Sequence, residues 1–137
     1  MLIRLCYAST RVEGDKNLIE DLDDILTTAR RFNQNHQIFG VLYYADGQFF
    51  QCLEGEQVVL NALFKNIMAD PRHQQVVRFN DQEIQRVHFS KWSMKYVKDT
   101  TRISRFFAKC DLAKFQPDLL DENQRADFIS LLLKINK

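Results

Sequence analysis

The stretch Ile38–Gly55, IFGVLYYADGQFFQCLEG, decides how this chain folds. Two apolar runs flank Asp46-Gly47, a dipeptide suited to a two-residue type I′ turn because both positions tolerate positive φ. Such a turn fixes the register of its strands. Ala45 then faces Gln48, Tyr44 faces Phe49, Tyr43 faces Phe50 and Leu42 faces Gln51. Side chains alternate across a strand, so Gly40, Leu42, Tyr44, Phe49, Gln51 and Leu53 share one face. Gln51 is the odd member of that apolar set. Its amide carries two donor hydrogens and an acceptor oxygen. Buried without partners it would cost roughly 1–3 kcal/mol or more.

Reading outward, Leu2–Ala8 alternates as a first strand with Ile3, Leu5 and Tyr7 on one face. Asn17 can cap a helix, with Glu20 in the capping-box position. Leu18, Leu22, Ile25, Leu26, Ala29 and Phe32 follow at helical spacing, and Asn33 lies on the same apolar face. After the hairpin, Val59, Leu60, Leu63, Phe64 and Ile67 mark a second amphipathic helix that Asp70-Pro71 ends. Gln74–Val87 reads as a fourth strand. Lys91–Val97 reads as a short fifth, with Trp92, Met94 and Tyr96 on one face. Helical segments around Arg102–Lys109 and Asp121–Ile135 close the chain. The order β-α-β-β-α-β-β is an α+β, ferredoxin-like split βαβ arrangement. Right-handed crossovers put both helices on one face of the sheet, with a groove between them. Residues 1–99 form this domain, and residues 100–137 are expected as a C-terminal helical extension packing on the sheet. Four glycines and two prolines leave no flexible linker.

The bulk numbers exclude several classes. The chain has 137 residues, 45% of them hydrophobic, and a net charge of +1. That balance counts against a nucleic-acid binder relying on a basic field, and against disorder. Cys6, Cys52 and Cys110 are far apart, which fits a reduced, cytoplasmic protein in which Cys6 and Cys52 are small core residues. His36, His73 and His88 are also dispersed, and no CxxC or HExxH occurs, so no metal site is expected. The N-terminus lacks the pattern of a signal peptide, and no window approaches eighteen apolar residues, so no membrane association is expected.

Tyr7, Asn33 and Gln51 all point toward the groove. One phenol cannot satisfy every hydrogen-bonding position of an amide. The remainder, with a second amide nearby, suits a planar polar guest. A structural amide satisfied by its neighbours is the plainer reading of any one of these residues. Three converging on a groove weigh against it. Two other functions share the topology. An acylphosphatase-like hydrolase would need an anion cradle after the first strand, for which Arg11 is the candidate, but no Gly-rich loop surrounds it. An RRM-like binder would need exposed strand aromatics and basic flanks.

The motifs RLCYAS around Tyr7, Asn33 after the first helix, FGVLYY, FFQCLEGE around Gln51, DPRH at Asp70–His73 and KWSMKY around Trp92 and Met94 occur together and in order. In these the chain resembles a BLUF domain, a blue-light sensor using flavin, over about Met1–Asp99. The tail resembles that of the short stand-alone members. The resemblance implies a photoreceptor without catalytic turnover. Tyr7 matches the tyrosine that gives an electron and a proton to the excited flavin. Gln51 matches the glutamine whose hydrogen bonds rearrange in response. Asn33 matches the asparagine that bonds the pyrimidine side of the ring. Arg72 and His73 fall near the ring's other polar edge, and Phe32, where some relatives carry a polar residue, should pack on the ring. Trp92 and Met94 match the pair that relays the signal. FAD is the implied cofactor, with FMN or riboflavin as alternatives. A downstream signalling protein and a homo-oligomer are the implied partners. Lys65, next to Asn66, and Arg30 or Arg31 are candidates for a flavin phosphate.

Overall fold

The computed structural model describes residues 1–89, 93–98 and 100–135. Its elements are β1 (Leu2–Arg11), α1 (Leu18–His36), β2 (Phe39–Ala45), β3 (Gln48–Glu56), α2 (Gln57–Met68), β4 (His73–Arg78), β5 (Gln82–Glu83), β6 (Lys95–Tyr96), α3 (Thr100–Lys109) and α4 (Glu122–Ile135). The sheet runs β4-β1-β3-β2-β6, with β5 also beside β1. This is the ferredoxin-like order, extended by β6 in parallel with β2.

The hairpin sets the rest. Asp46 and Gly47 adopt φ of 52° and 80°. The register pairs Leu42 with Gln51 and Tyr44 with Phe49. On the other side β3 pairs antiparallel with β1, placing Tyr7 directly opposite Gln51. β2 and β3 approach closely at Gly40, where an added Cβ would collide with the Cys52 carbonyl oxygen. Only glycine fits there.

Helix α1 starts at the capping box of Asn17 and Glu20 and stops at Gln37, whose left-handed φ of 55° turns its N–H back to the Asn33 carbonyl. Helix α2 buries Leu60 and Phe64. Both helices cover one sheet face, over a layer that includes Ile3, Leu5, Tyr7, Leu42, Phe49, Leu53 and Met94. The opposite face carries Cys6, Ala8, Val41, Tyr43, Phe50 and Cys52. Ile103 and Phe107 of α3 and Phe128, Ile129 and Leu132 of α4 pack on it. Burying such side chains contributes about 1.5–3 kcal/mol each, which holds the helix pair on the sheet. Helix α4 has its own reciprocal cap between Asp121 and Gln124.

Two expectations are corrected. The fourth strand breaks into β4 and β5 at residues 79–81, where Arg78 reaches back onto Asp81 in a local ion pair. Cys6 and Cys52 are core residues, but they are joined in a cross-strand disulfide, leaving Cys110 as the free thiol. They are direct partners across β1 and β3, with Cα atoms 4.3 Å apart. Closing a loop across 46 positions contributes stability on the order of 2–4 kcal/mol. Unreduced protein, labelled in denaturant, should therefore expose one reactive thiol rather than three. Refolding under reductant should lower the melting temperature by several degrees. Three reactive thiols before reduction would contradict the bond. No described helix is long and apolar enough to cross a membrane.

Candidate functional site

A cavity of about 220 Å³ opens between α1 and α2 above β1 and β3. Tyr7, Phe32, Asn33, Gln51, Arg72, His73 and Met94 all line it. The residues expected at the ring and in the relay are thus brought to one place, apart from Trp92, which lies outside the described residues, whereas the phosphate candidates Arg30, Arg31 and Lys65 do not line the cavity. The remaining wall is largely apolar: Ile25 and Ala29 from α1, Leu63 and Ile67 from α2, Leu42 and Phe49 from the sheet.

The polar groups form a short chain. The Tyr7 hydroxyl donates to Gln51 Oε1, and both side chains are buried. Gln51 Nε2 donates to the Met94 sulfur at 3.6 Å, a weak acceptor. One amide hydrogen of Gln51 is left for the cavity. Burial pushes the Tyr7 phenol well above its usual range, Asp70 adds to this, and Arg72 opposes it. Tyr7 is therefore held as a neutral O–H donor.

Asn33 supplies the complementary group. Its Nδ2 donates to the Ser93 carbonyl at 2.5 Å. A carbonyl can only accept, so this bond fixes the amide with Oδ1 turned away from Ser93. Asn33 Oδ1 is buried without a partner, the one such side-chain atom among the described residues. An orphaned acceptor of this kind costs about 1–3 kcal/mol unless a ligand donates to it. The cavity accordingly offers a donor at Gln51 and an acceptor at Asn33 between apolar walls. That donor set fits the edge of a flat heterocycle bearing both N–H and C=O groups, such as a flavin.

Other residues are more constrained than their sequence suggested. Arg72 closes its fork on Asp70 through Nε and Nη2, at distances of 2.6–3.0 Å. Burial works against the Asp70 charge, but the Arg72 bonds prevail and hold its carboxyl below the usual range. His73 Nε2 donates to the Ile67 carbonyl, and Nδ1 faces the Ser9 hydroxyl at 3.0 Å, so the ring stands edge-on to Tyr7. Phe32 stacks on His36 at 3.9 Å as well as lining the cavity. Arg30 donates to the Met94 carbonyl at 3.0 Å. It is thereby tied to the segment before β6 rather than free for a phosphate.

The cavity continues into an outer cleft of about 700 Å³. Asp15, Asp21, Asp24 and Asp70 line it against Lys16 and Arg72. Lys16 is paired with Asp24, and Arg72 with Asp70. Lys65 does not line this cleft, whereas Asn66 does. Arg11 is paired with Asp21 at 2.8 Å, so the guanidinium that a hydrolase would use for an anion is already engaged. Ser9, Asp70 and the Ser93 carbonyl do not stand out in the sequence as site groups. Ser9 carries a usable signal, since it lies two residues from Tyr7 on the same strand face.

Comparison with known proteins identifies the family of the chain. The family model described as sensors of blue-light using FAD matches residues 2–95, and the chain belongs to this BLUF family. The photoactivated adenylate cyclase subunit alpha of Euglena gracilis is 34% identical over 94 residues, covering 69% of this chain and 9% of that protein. The blue light- and temperature-regulated antirepressor BluF of Escherichia coli is 30% identical over 77 residues, covering 56% of this chain and 19% of that protein. The chain thus spans less than a fifth of the length of these two curated relatives. Among solved structures, BlsA in its photo-activated state superposes with a TM-score of 0.92 at 47% identity, covering 97% of this chain and 95% of that one. The dark state of BlrB gives 0.79 at 26% identity, covering 98% and 93%.

Proposed function

We propose that the chain is a blue-light switch that holds a flavin between α1 and α2 and reports its excitation through β6. The observation that carries this reading is the Tyr7–Gln51 bond, with a spare Gln51 hydrogen and the orphaned Asn33 Oδ1 lining the same cavity. The flavin, when bound, supplies light absorption and an oxidising excited state. Tyr7 is placed to give up an electron, and its hydroxyl proton can leave through Gln51 because an oxidised phenol is a strong acid. Gln51 can then exchange the donor and acceptor ends of its amide, by rotation or tautomerisation. Its bond to Met94 must change with it. Met94 lies next to β6, so the change reaches the sheet edge and the tail. Trp92 belongs to the same proposed relay.

Asn33 and Gln51 orient the ring, Phe32 packs beside it, and Arg72 and His73 border its far side. FAD is the proposed form. The ring, more than the phosphates, should carry the affinity, because carboxylates outnumber bases in the outer cleft and the bases there are paired. Residues 1–99 are the proposed sensor, and residues 100–137 the extension that passes its state to a downstream protein or a second copy. No turnover is assigned to the chain, and the cytoplasm is its proposed compartment, with the Cys6–Cys52 bond buried in the core and shielded from soluble thiols. Asn33→Ala tests the binding part. One lost hydrogen bond is worth roughly 0.5–1.5 kcal/mol, so flavin affinity should fall by a few-fold to about tenfold. Flavin occupancy unchanged after dialysis would remove Asn33 from the site.

A further inference from the structure

Glu54 is a carboxylate with no solvent exposure, on the sheet face opposite the cavity. Both of its oxygens are engaged. Oε2 accepts from Arg4 Nε at 3.0 Å and Nη2 at 2.9 Å, and His88 Nδ1 lies 3.1 Å away. Oε1 accepts from the backbone N–H groups of His88 at 2.5 Å and Phe89 at 2.9 Å. Arg4 sits directly across the ladder from Glu54, and its guanidinium lies over the Phe89 ring at 5.6 Å. A buried Arg–Glu pair alone says little about function, since hydrophobic replacements often serve a fold as well. Glu54 differs because one whole oxygen is spent on the backbone of a connector.

That connector leaves β5 beside β1 and ends at β6 beside β2, at the other edge of the sheet. Phe89 is buried in the layer beneath the sheet. Four residues later the chain is held at the cavity, where the Ser93 carbonyl takes the Asn33 amide. Met94 follows, its carbonyl taking Arg30 and its sulfur taking Gln51. Four residues reach at most about 14 Å when fully extended. The two anchors are therefore at most that far apart, with Phe89 the described anchor that precedes the Ser93–Met94 segment.

Resting on the light-switch reading above, we propose that Glu54 is a positioning residue for the relay. It pins the connector beneath the sheet, so that a change in the Gln51 bond moves Met94 against a fixed point. Without the pin, the same change would dissipate along a loose segment.

The test compares wild type with Glu54→Gln and Arg4→Lys, each purified with its flavin. The amide keeps the shape of Glu54 but loses its charge and turns a donor toward other donors. Lysine keeps the charge of Arg4 but lacks the fork. Both variants should keep a light-induced spectral shift of wild-type size. The light-dependent change in fluorescence of Trp92, the chain's sole tryptophan, should fall at least about twofold. Amide exchange at His88 and Phe89 should quicken about tenfold or more in the dark. Arg4→Lys decides the matter where Glu54→Gln does not fold. Full transmission in the variants, or unchanged exchange at both amides, overturns the inference alone. A wild type without any light-induced shift overturns the light-switch reading, and the relay with it.

Discussion

Gln51→Leu should yield a protein that still carries flavin yet no longer answers blue light. Leucine keeps much of the volume of Gln51 in an apolar layer, so the cavity wall should survive. It removes the acceptor for the Tyr7 hydroxyl and the donor to Met94 together. Leaving the Tyr7 O–H unpartnered costs about 1–3 kcal/mol, offset in part by the better apolar fit of leucine. The light-minus-dark difference spectrum should fall to baseline while flavin occupancy stays near wild type. A mutant that still shows a reversible red shift would remove Gln51 from the switch.

Tyr7→Phe should be equally silent for a different reason. Phenylalanine preserves the edge contacts of the ring with Phe64 at 5.7 Å and His73 at 6.0 Å, so packing changes little. It lacks the readily oxidised phenol and the proton that accompanies the electron. Gln51 stays in place and can still face a flavin. The mutant should therefore bind flavin, show longer-lived flavin fluorescence because its quencher is gone, and give no lasting red shift. Fluorescence lifetimes equal to wild type would show that Tyr7 is not the electron donor. Together the two variants separate the donor role from the rearranging role.

Much of this site is legible in the sequence because it depends on short-range rules. Asp46-Gly47 dictates the hairpin register, and that register alone puts Gln51 on an apolar face. Asn33 stands out on the apolar stripe of α1 for a similar reason. What local patterns miss depends on the pairing of β1 with β3, strands separated by a helix and a third strand. Placing Tyr7 directly opposite Gln51 fixes that register. One step along each strand, Cys6 then meets Cys52. Two steps further, Arg4 meets Glu54. The disulfide and the buried carboxylate therefore follow from a single long-range pairing that no local pattern specifies. The break between β4 and β5 is masked by the apolar Val76 and Val77, which read as one continuous strand, while the Arg78–Asp81 ion pair sits at the interruption. The acidic outer cleft is hidden because its carboxylates come from the loop after β1, from α1 and from the end of α2. Only the fold brings them together.

The central claim is that light absorbed in the cavity rearranges the hydrogen bonds of Gln51 without breaking a covalent bond. The most direct measurement is the absorption spectrum of the purified wild-type protein in the dark, under blue light, and during return to the dark. The account predicts a yellow protein whose flavin bands shift reversibly to longer wavelength with their shape retained. A colourless protein, a spectrum unmoved by blue light, or lasting bleaching of the flavin bands would contradict it.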